Sequence, residues 1–187
     1  MALPQKIQRQ FSPEEIQFIA GNEFISIIPN FTLDKMEFIQ TSYGPFMPPL
    51  QAQVPLWLAV ALKKNRKCSI VPPNWFTKDN LQALLQNEED HDEFAKVPFH
   101  YMEIAHMLIE VAPDEIPDIE HIRKLLKDIR ECRQRKTRDL LGKVDGTRLE
   151  LHNMSRMELN EIRPLFSAAF NEMTKLQFLD NQDEVME

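Results

Sequence analysis

The chain is poor in the residues on which several protein classes depend. It has only four glycines in 187 residues, and no two of them have the spacing of a phosphate-binding loop, which argues against P-loop hydrolases and dinucleotide enzymes. Its two cysteines, Cys68 and Cys132, lie in segments with the pattern of a strand and a helix, so we expect buried thiols and no disulfide. The longest apolar run, Val54 to Leu62, is too short for a membrane-spanning helix, which needs about 20 residues.

What is present is typical of a soluble globular protein, with 43% hydrophobic and 27% charged residues. Short β-rich segments dominate the first third, and amphipathic helical patterns dominate the remainder. We therefore predict an α+β, mainly α fold, with a small β-rich amino-terminal domain followed by a helical bundle. The expected boundaries are 1–72 for the first domain, 73–180 for the second, and 181–187 for a disordered acidic tail.

Local signals place the elements. Ser12, Pro13 and Glu15 form a helix start with a capping box, and this helix should end at Gly21. Ser155 and Glu158 form a second capping box, which predicts a last helix of about 23 residues. The remaining predictions are strands over 23–28, 36–40 and 68–71, a helix starting at Pro55, and helices over 78–88, from Pro98, and over 118–141, with a solvated acidic loop after 88.

The segment from Val54 to Trp75 joins a helix that is apolar on every side to a basic patch and a proline-stopped strand. Such a helix must be covered all round by protein. We interpret Trp57 as an internal anchor between the two domains, with Leu58 and Trp75 contributing to the same domain packing.

The last predicted helix carries an apolar stripe wide enough to be buried on more than one side. In a small bundle, two-sided burial indicates an interface between subunits. The residues predicted to form this interface are Leu159, Ile162, Phe166, Phe170 and Met173.

The long helix is strongly basic within an acidic protein. From His121 to Lys143 there are nine cations and three acids, a net +6, although the whole chain carries −7. Three interpretations remain open: contact with an acidic protein partner through Arg130, Arg133 and Arg135, a solvated helix face, or a nucleic-acid-binding module over 121–143. The helix lacks interleaved aromatic residues for base stacking, which disfavours direct nucleic-acid binding.

Two further patterns suggest chemistry. Glu103 with His106, and Asp118 with His121, have the Glu-x-x-His type of spacing found in bundle metal sites, but Glu103 and His106 are predicted to face away from the apolar stripe and further inward carboxylates are missing. Ser69 beside Cys68 has no catalytic signature around it. We expect no catalytic residue, no metal and no cofactor.

The order of several landmarks resembles the Psf-two type of subunit in the eukaryotic GINS family, over nearly the full chain. The Val54 to Trp75 block is the most specific part of the resemblance. The quoted landmarks are Ile27-Ile28-Pro29-Asn30-Phe31, Gly44-Pro45-Phe46, Val54-Pro55-Leu56-Trp57-Leu58-Ala59, Leu62-Lys63, Lys67-Cys68, Pro72-Pro73, Trp75 and Met157-Glu158-Leu159-Asn160-Glu161-Ile162.

This resemblance implies a nuclear, non-enzymatic subunit of a GINS heterotetramer with three paralogous partners. It further implies that the assembly bridges the MCM motor and a Cdc-family cofactor in the replicative helicase at DNA replication forks. DNA contact is expected to be indirect or weak at most, and membrane contact is not expected.

Overall fold

The computed structural model of the chain describes residues 10–39, 41–141 and 152–183, and the side chains of 10–39, 41–139 and 152–169. Six α-helices and a small antiparallel sheet make up this part of the chain. None of its helices combines the length and apolar character that a membrane crossing requires.

The β-rich part begins with helix α1, Pro13–Ala20. Its capping box is confirmed, because Ser12 Oγ accepts from the Glu15 N–H at 3.2 Å and Glu15 Oε2 accepts from the Ser12 N–H at 2.8 Å. Strand β1, Phe24–Pro29, follows and lies at the centre of a three-stranded sheet. Its neighbours in the sheet, β4 (Ala52–Pro55) and β5 (Cys68–Val71), both pair with it in antiparallel register.

Two short strands, β2 (Met36–Glu37) and β3 (Ser42–Tyr43), form a separate hairpin beside this sheet. The predicted strand over 36–40 was too long for its described residues, since β2 ends at Glu37, and residue 40 lies outside the described residues. Helix α2, Leu56–Lys64, begins one residue later than predicted. Pro55 has extended backbone angles and is the last residue of β4, so it precedes the helix and is not its first turn.

The helical part contains α3 (Lys78–Asp90), α4 (Tyr101–Val111), α5 (Ile119–Leu141) and α6 (Arg156–Asp183). A short 3₁₀ turn, Pro113–Glu115, lies between α4 and α5. The acidic run after residue 88 was predicted to be a loop, and α3 continues two residues into it, to Asp90, while 91–93 are not helical. Pro98 lies before α4, and its carbonyl accepts the Tyr101 N–H at 3.1 Å.

Helix α6 is longer than predicted, with 28 residues, and Pro164 lies inside it. The helix includes 181–183, and 184–187 lie outside the described residues, so the disordered tail over 181–187 stays a prediction. The second capping box is confirmed, because the Ser155 N–H donates to Glu158 Oε2 at 2.8 Å and Ser155 Oγ accepts from the Glu158 N–H at 3.4 Å.

One continuous apolar core joins the sheet to α2, α3, α4 and α5. It includes Ile27, Leu58, Leu81, Leu108 and Ile129, which come from five different elements and are all buried. The predicted α+β, mainly α fold is confirmed. The predicted division at 72 and 73 stays a prediction, although the core extends across it.

A second, smaller apolar cluster fixes α6. Met154, Ile162 and Phe166 are buried in it, and Phe94 and Leu159 pack against it. The segment before α1 is also attached to this helix, because the Phe11 N–H donates to Asn160 Oδ1 at 2.8 Å and Asn160 Nδ2 donates to the Phe11 carbonyl at 2.9 Å.

Candidate functional site

Arg133, predicted to be a surface contact, is fully buried between α3, α5 and α6, with a relative exposure of 0%. A guanidinium group has five N–H donors, and Arg133 uses donors on all three nitrogens. Nε and Nη2 bind the two carboxylate oxygens of Glu158 at 2.6 and 2.9 Å, a bidentate pair. Nη1 donates to Glu88 and to the Ala95 carbonyl, and Nη2 also donates to the Asn153 carbonyl at 2.7 Å.

Lys136 completes this cluster one helical turn further along α5. Its Nζ donates to Glu88 Oε2 at 2.5 Å and to the Glu93 carbonyl at 2.9 Å. Two cations thus face two carboxylates, Glu88 and Glu158, so the charges inside the cluster balance. We call Glu88, Arg133, Lys136 and Glu158 the buried ion cluster.

The pKa values of Glu158 and Arg133 show that ion pairing outweighs burial in the buried ion cluster. Burial alone would raise the pKa of Glu158, but its hydrogen bonds with Arg133 and the charge of that guanidinium outweigh burial and hold the pKa below its usual range. Burial likewise opposes the charge on Arg133, yet Glu158 and Glu88 raise its pKa above the usual value. Both groups are therefore charged at neutral pH, and the cluster is a structural element of the bundle.

The prediction that Arg133 faces a partner was wrong, and the sequence contained a signal that identifies its true position. Arg133 follows Ile122, Leu126 and Ile129 at helical spacing, so it continues the apolar stripe of α5 toward the core. Glu88 continues the stripe of α3 that contains Leu81 in the same way. A charged residue in line with an apolar stripe indicates a buried pair.

Most of the basic face of α5 is neutralised by neighbouring carboxylates. Of its eight cations, five are in ion pairs, including Arg130, whose Nη2 lies 2.8 Å from Glu161 Oε1 on α6. The other four paired cations are Arg123, Lys127, Arg133 and Lys136. Within the described part of the chain, Lys124, Arg135 and Arg138 are exposed cations on this helix with no ion pair.

The predicted interface residues of α6 divide into three groups. Ile162 and Phe166 are buried against Met154, so this chain covers most of their surface, and their role at a subunit interface stays a prediction. Leu159 packs against the same cluster. The side chains of Phe170 and Met173 lie outside the described residues. Leu165, which was not among the predicted interface residues, is 54% exposed and lines a groove of about 240 Å³ between α5 and α6.

The residues predicted to couple the two domains also differ from one another in how deeply they are buried. Trp57 is at the surface, 41% exposed, so it is not the internal anchor that was predicted. Its indole contacts the Phe38 ring edge-to-face, with 5.3 Å between ring centroids. Leu58 is buried in the common core and Trp75 packs against it, and their role in joining the domains stays a prediction. In a helix that is apolar on every side, periodicity does not distinguish the inward face.

Glu103 was predicted to lie on the outer face of α4, but it is buried. Neither of its carboxylate oxygens has a hydrogen-bond partner among the described residues. Burial raises the pKa of Glu103, although Arg156 opposes this effect. His106 is exposed on the other side of the helix, so the Glu103 and His106 pair does not converge. No cluster of three metal-ligating side chains occurs in 10–39, 41–139 or 152–169.

Known family models match nearly the whole chain in two consecutive segments. The model described as PSF2 N-terminal domain matches residues 12–71, which include α1, the sheet and α2. The model described as GINS complex protein helical bundle domain matches residues 75–177, which include α3 to α5 and most of α6.

Curated relatives match over similar lengths. The DNA replication complex GINS protein psf2 of Schizosaccharomyces pombe is 42% identical over 176 residues, covering 94% of this chain and 96% of the relative. The PSF2 protein of Xenopus laevis is 39% identical, covering 91% and 95% of the two chains. The PSF2 protein of Homo sapiens is 37% identical, covering 87% and 90%.

Proposed function

The chain belongs to the PSF2 family of DNA replication complex GINS proteins, and from this membership we propose that it is a non-catalytic structural subunit of a GINS heterotetramer. Its partners are three paralogous subunits. The assembly is nuclear and bridges the MCM motor and its Cdc-family cofactor in the replicative helicase, during initiation and elongation of chromosomal DNA replication.

The observation that carries this proposal is the match of two consecutive family models to most of the chain. The surface is compatible with it, because large apolar side chains are exposed outside the two apolar clusters on both halves, among them Phe18, Leu50 and Leu165. Exposed apolar side chains of this size are available for burial against another subunit. A subunit that buries this surface against paralogues fits the pattern better than a free enzyme does.

A structural role also fits the chemistry of the buried charged groups. The carboxylates and cations of the buried ion cluster bind one another, and the cations also donate to backbone carbonyls. They therefore hold α3, α5 and α6 together and are not presented to a substrate. This network ties three helices of the bundle to one another, which suits a bridging subunit.

The assembly is tested by expressing the full chain with its three paralogues and measuring the mass of the purified product by light scattering. We expect one heterotetramer with equal amounts of the four chains. A chain that remains monomeric in the presence of all three paralogues would contradict the proposal.

The second candidate function is nucleic-acid binding by the basic helix over 121–143. The exposed and unpaired cations Lys124, Arg135 and Arg138 favour it, but the pairing of the other five weakens it. A fluorescence titration of the purified complex with duplex DNA distinguishes the two functions. DNA affinity that falls steeply with salt and is lost in Lys124→Glu and Arg135→Glu together would favour the nucleic-acid function.

A further inference from the structure

The turn between α2 and β5 carries three cations that no carboxylate neutralises. Lys64, Arg66 and Lys67 are exposed, and within the described part of the chain none of them is in an ion pair. Lys63 in the same run is different, because its Nζ lies 2.9 and 2.7 Å from two carboxylates of the 3₁₀ turn Pro113–Glu115. We call Lys64, Arg66 and Lys67 the basic turn.

The end of α2 fixes the backbone of the basic turn. The Arg66 N–H donates to the Lys63 carbonyl at 2.8 Å, and the Lys67 N–H donates to the Leu62 carbonyl at 2.9 Å, which are the two bonds of a Schellman motif. Arg66 has a φ of +57°, a left-handed conformation that glycine usually adopts at this position. The Lys67 carbonyl accepts the Asn30 N–H at 2.7 Å. The cations are therefore held in a defined turn, and one of them lies where a side chain is unfavourable for the backbone.

The acids of the β-rich half lie away from the basic turn. Residues 10–72 contain five acids and five cations, but no acid occurs in 38–78. The Glu23 carbonyl accepts the first N–H of α2 at 2.8 Å, and Phe38, which directly follows the last of the five acids, contacts Trp57 in the first turn of this helix. The two ends of α2 are about 12 Å apart at 1.5 Å per residue, a distance over which exposed charges are largely screened at physiological salt. The basic turn therefore keeps a positive potential although this half is neutral as a whole.

The basic turn borders an open groove of about 400 Å³. The lining includes Lys64, Arg66, Asn30 and the exposed carboxylate of Asp114, so it offers both cationic donors and polar acceptors. A phosphate backbone has only acceptors, whereas a peptide has backbone N–H donors beside its carbonyl and carboxylate acceptors. No described residue of the lining is aromatic, so the groove has no ring for base stacking. The lining therefore matches an acidic peptide better than a nucleic acid.

We propose that the basic turn and its groove bind an acidic segment of a protein partner. Carboxylates of this segment pair with Lys64, Arg66 and Lys67, and its backbone N–H groups donate to Asp114. The charge complementarity selects the partner, because the cations of the turn are exposed and have no competing carboxylate within the described chain. This inference concerns a surface of the β-rich half and does not depend on the heterotetramer.

The test titrates the purified full chain into fluorescein-labelled probes and follows their anisotropy at two salt concentrations. One peptide alternates glycine with glutamate, and a second alternates glycine with glutamine, which has nearly the same shape but no charge. The third probe is a single-stranded oligonucleotide with the same number of negative charges as the glutamate peptide. We expect the glutamate peptide to bind, more weakly at the higher salt concentration, and the glutamine peptide not to bind.

Two substitutions in the basic turn should weaken binding without unfolding the chain. Lys64→Gln combined with Arg66→Gly should reduce the affinity for the glutamate peptide by about tenfold, as the loss of two exposed ion pairs. Arg66→Gly alone should reduce the affinity without lowering the midpoint of urea unfolding, because glycine adopts the left-handed conformation without strain. Lys35→Gln combined with Lys96→Gln removes the same charge at exposed positions elsewhere and should leave the affinity unchanged.

Three outcomes would overturn the proposal. Equal binding of the glutamine peptide would exclude recognition of carboxylates, and equal losses in the two double variants would reduce the effect to the net charge of the chain. Tighter binding of the oligonucleotide than of the glutamate peptide, with a loss in the Lys64 and Arg66 double variant, would assign the basic turn to nucleic acid. The mass of the complex with the paralogues reports separately on the heterotetramer.

Discussion

Arg133 links several helices of the bundle through one buried side chain. Removing a guanidinium from water costs several kcal/mol unless its charge and its N–H groups are matched. Here Glu158 binds it in a bidentate geometry, Glu88 supplies a second negative charge, and two backbone carbonyls accept its remaining donors. Since these partners come from α3, α6 and the connecting segments, Arg133 couples the positions of elements that are distant in the chain.

Removal of Arg133 should therefore destabilise the protein strongly. In Arg133→Ala, Glu88 and Glu158 remain buried with only Lys136 as a cation, and we expect a loss of about 3–5 kcal/mol in the free energy of unfolding. Arg133→Lys keeps the charge but not the bidentate geometry, so it should recover only part of this loss. Urea unfolding followed by circular dichroism measures both values.

The neighbouring Arg135 provides the control, because it is exposed on the same helix and Arg135→Ala should leave the unfolding free energy unchanged. The pH dependence gives an independent check. Since the pKa of Glu158 is lowered in the folded chain, its stabilisation is present above the ordinary carboxyl pKa and is lost as pH falls toward the folded value. Equal acid sensitivity of wild type and Arg133→Ala would contradict this assignment.

Glu103 presents the opposite case, a buried carboxylate without a hydrogen-bond partner in the described part of the chain. Burial raises its pKa in the folded chain, so the folded state holds the proton more tightly than the unfolded state. Stability therefore falls as pH rises from the ordinary carboxyl pKa through the raised one. Glu103→Gln should remove this fall and stabilise the chain by about 1–2 kcal/mol at neutral pH.

The measurement is urea unfolding on both sides of this pH window. Glu110→Gln, at an exposed position of the same helix, should have no effect at either pH. If Glu103→Gln destabilises the chain at neutral pH, then the carboxylate has a favourable partner and the assignment is wrong.

At the scale of elements, the 3₁₀ turn Pro113–Glu115 connects the helical half to the sheet. Glu115 Oε2 accepts the Ile70 N–H of β5 at 2.7 Å, and Glu115 Oε1 lies 2.7 Å from Lys63 Nζ of α2. Burial would lower the pKa of Lys63, but its bonds to Glu115 and Asp114 raise it above the usual value. One carboxylate thus joins three elements across the predicted domain boundary.

Glu115→Ala should lower the free energy of unfolding by about 1–3 kcal/mol, because it leaves the Ile70 N–H without its acceptor and removes one of the two carboxylates bound to Lys63. Glu115→Gln keeps the acceptor for the Ile70 N–H and should cost less. Asp114→Ala, at the exposed end of the same pair, should be neutral. The three midpoints of urea unfolding rank these variants, and an equal effect of Asp114→Ala and Glu115→Ala would show that only the surface charge matters.

The elements themselves were largely predictable, because their signals are local. The Ser12 and Ser155 capping boxes define the starts of α1 and α6, and the spacing of Ile122, Leu126 and Ile129 predicts α5. Predictions failed where tertiary contacts decide. Helix α3 extends two residues past Glu88, which is buried against Arg133, and the pairing of β2 with β3 covers only two residues of each strand.

For the molecule as a whole, the sequence indicated that the chain is a subunit of a complex, but it did not indicate which surfaces contact the other subunits. Charge and periodicity are properties of one helix, whereas burial depends on which neighbour lies opposite. The basic run on α5 looked like a contact surface until Glu88, Glu158 and Glu161 were placed beside it. The contacts that join the rings of Phe24, Phe38, Tyr43 and Trp57 could not be predicted, since these rings meet only when β1, β3 and α2 come together.

Two adjacent residues of α6 allow the subunit contact to be tested separately from the stability of the chain, because one is exposed and the other is buried. Leu165 is exposed, whereas Phe166 is buried against Met154. Leu165→Asp should leave the unfolding of the chain unchanged but reduce its incorporation into the complex with its paralogues. Phe166→Ala should instead cost about 3–5 kcal/mol of unfolding free energy, as a core deletion.

The two variants are compared by co-purification with tagged paralogues and by urea unfolding of the same chains. Loss of incorporation without loss of stability in Leu165→Asp assigns the groove between α5 and α6 to a subunit contact. Leu165→Ala should have a smaller effect on incorporation than Leu165→Asp, because burial of a carboxylate in an apolar contact costs more than loss of a side chain. Normal incorporation of Leu165→Asp would exclude this groove, and the contact would then have to involve other exposed apolar residues such as Phe18 or Leu50.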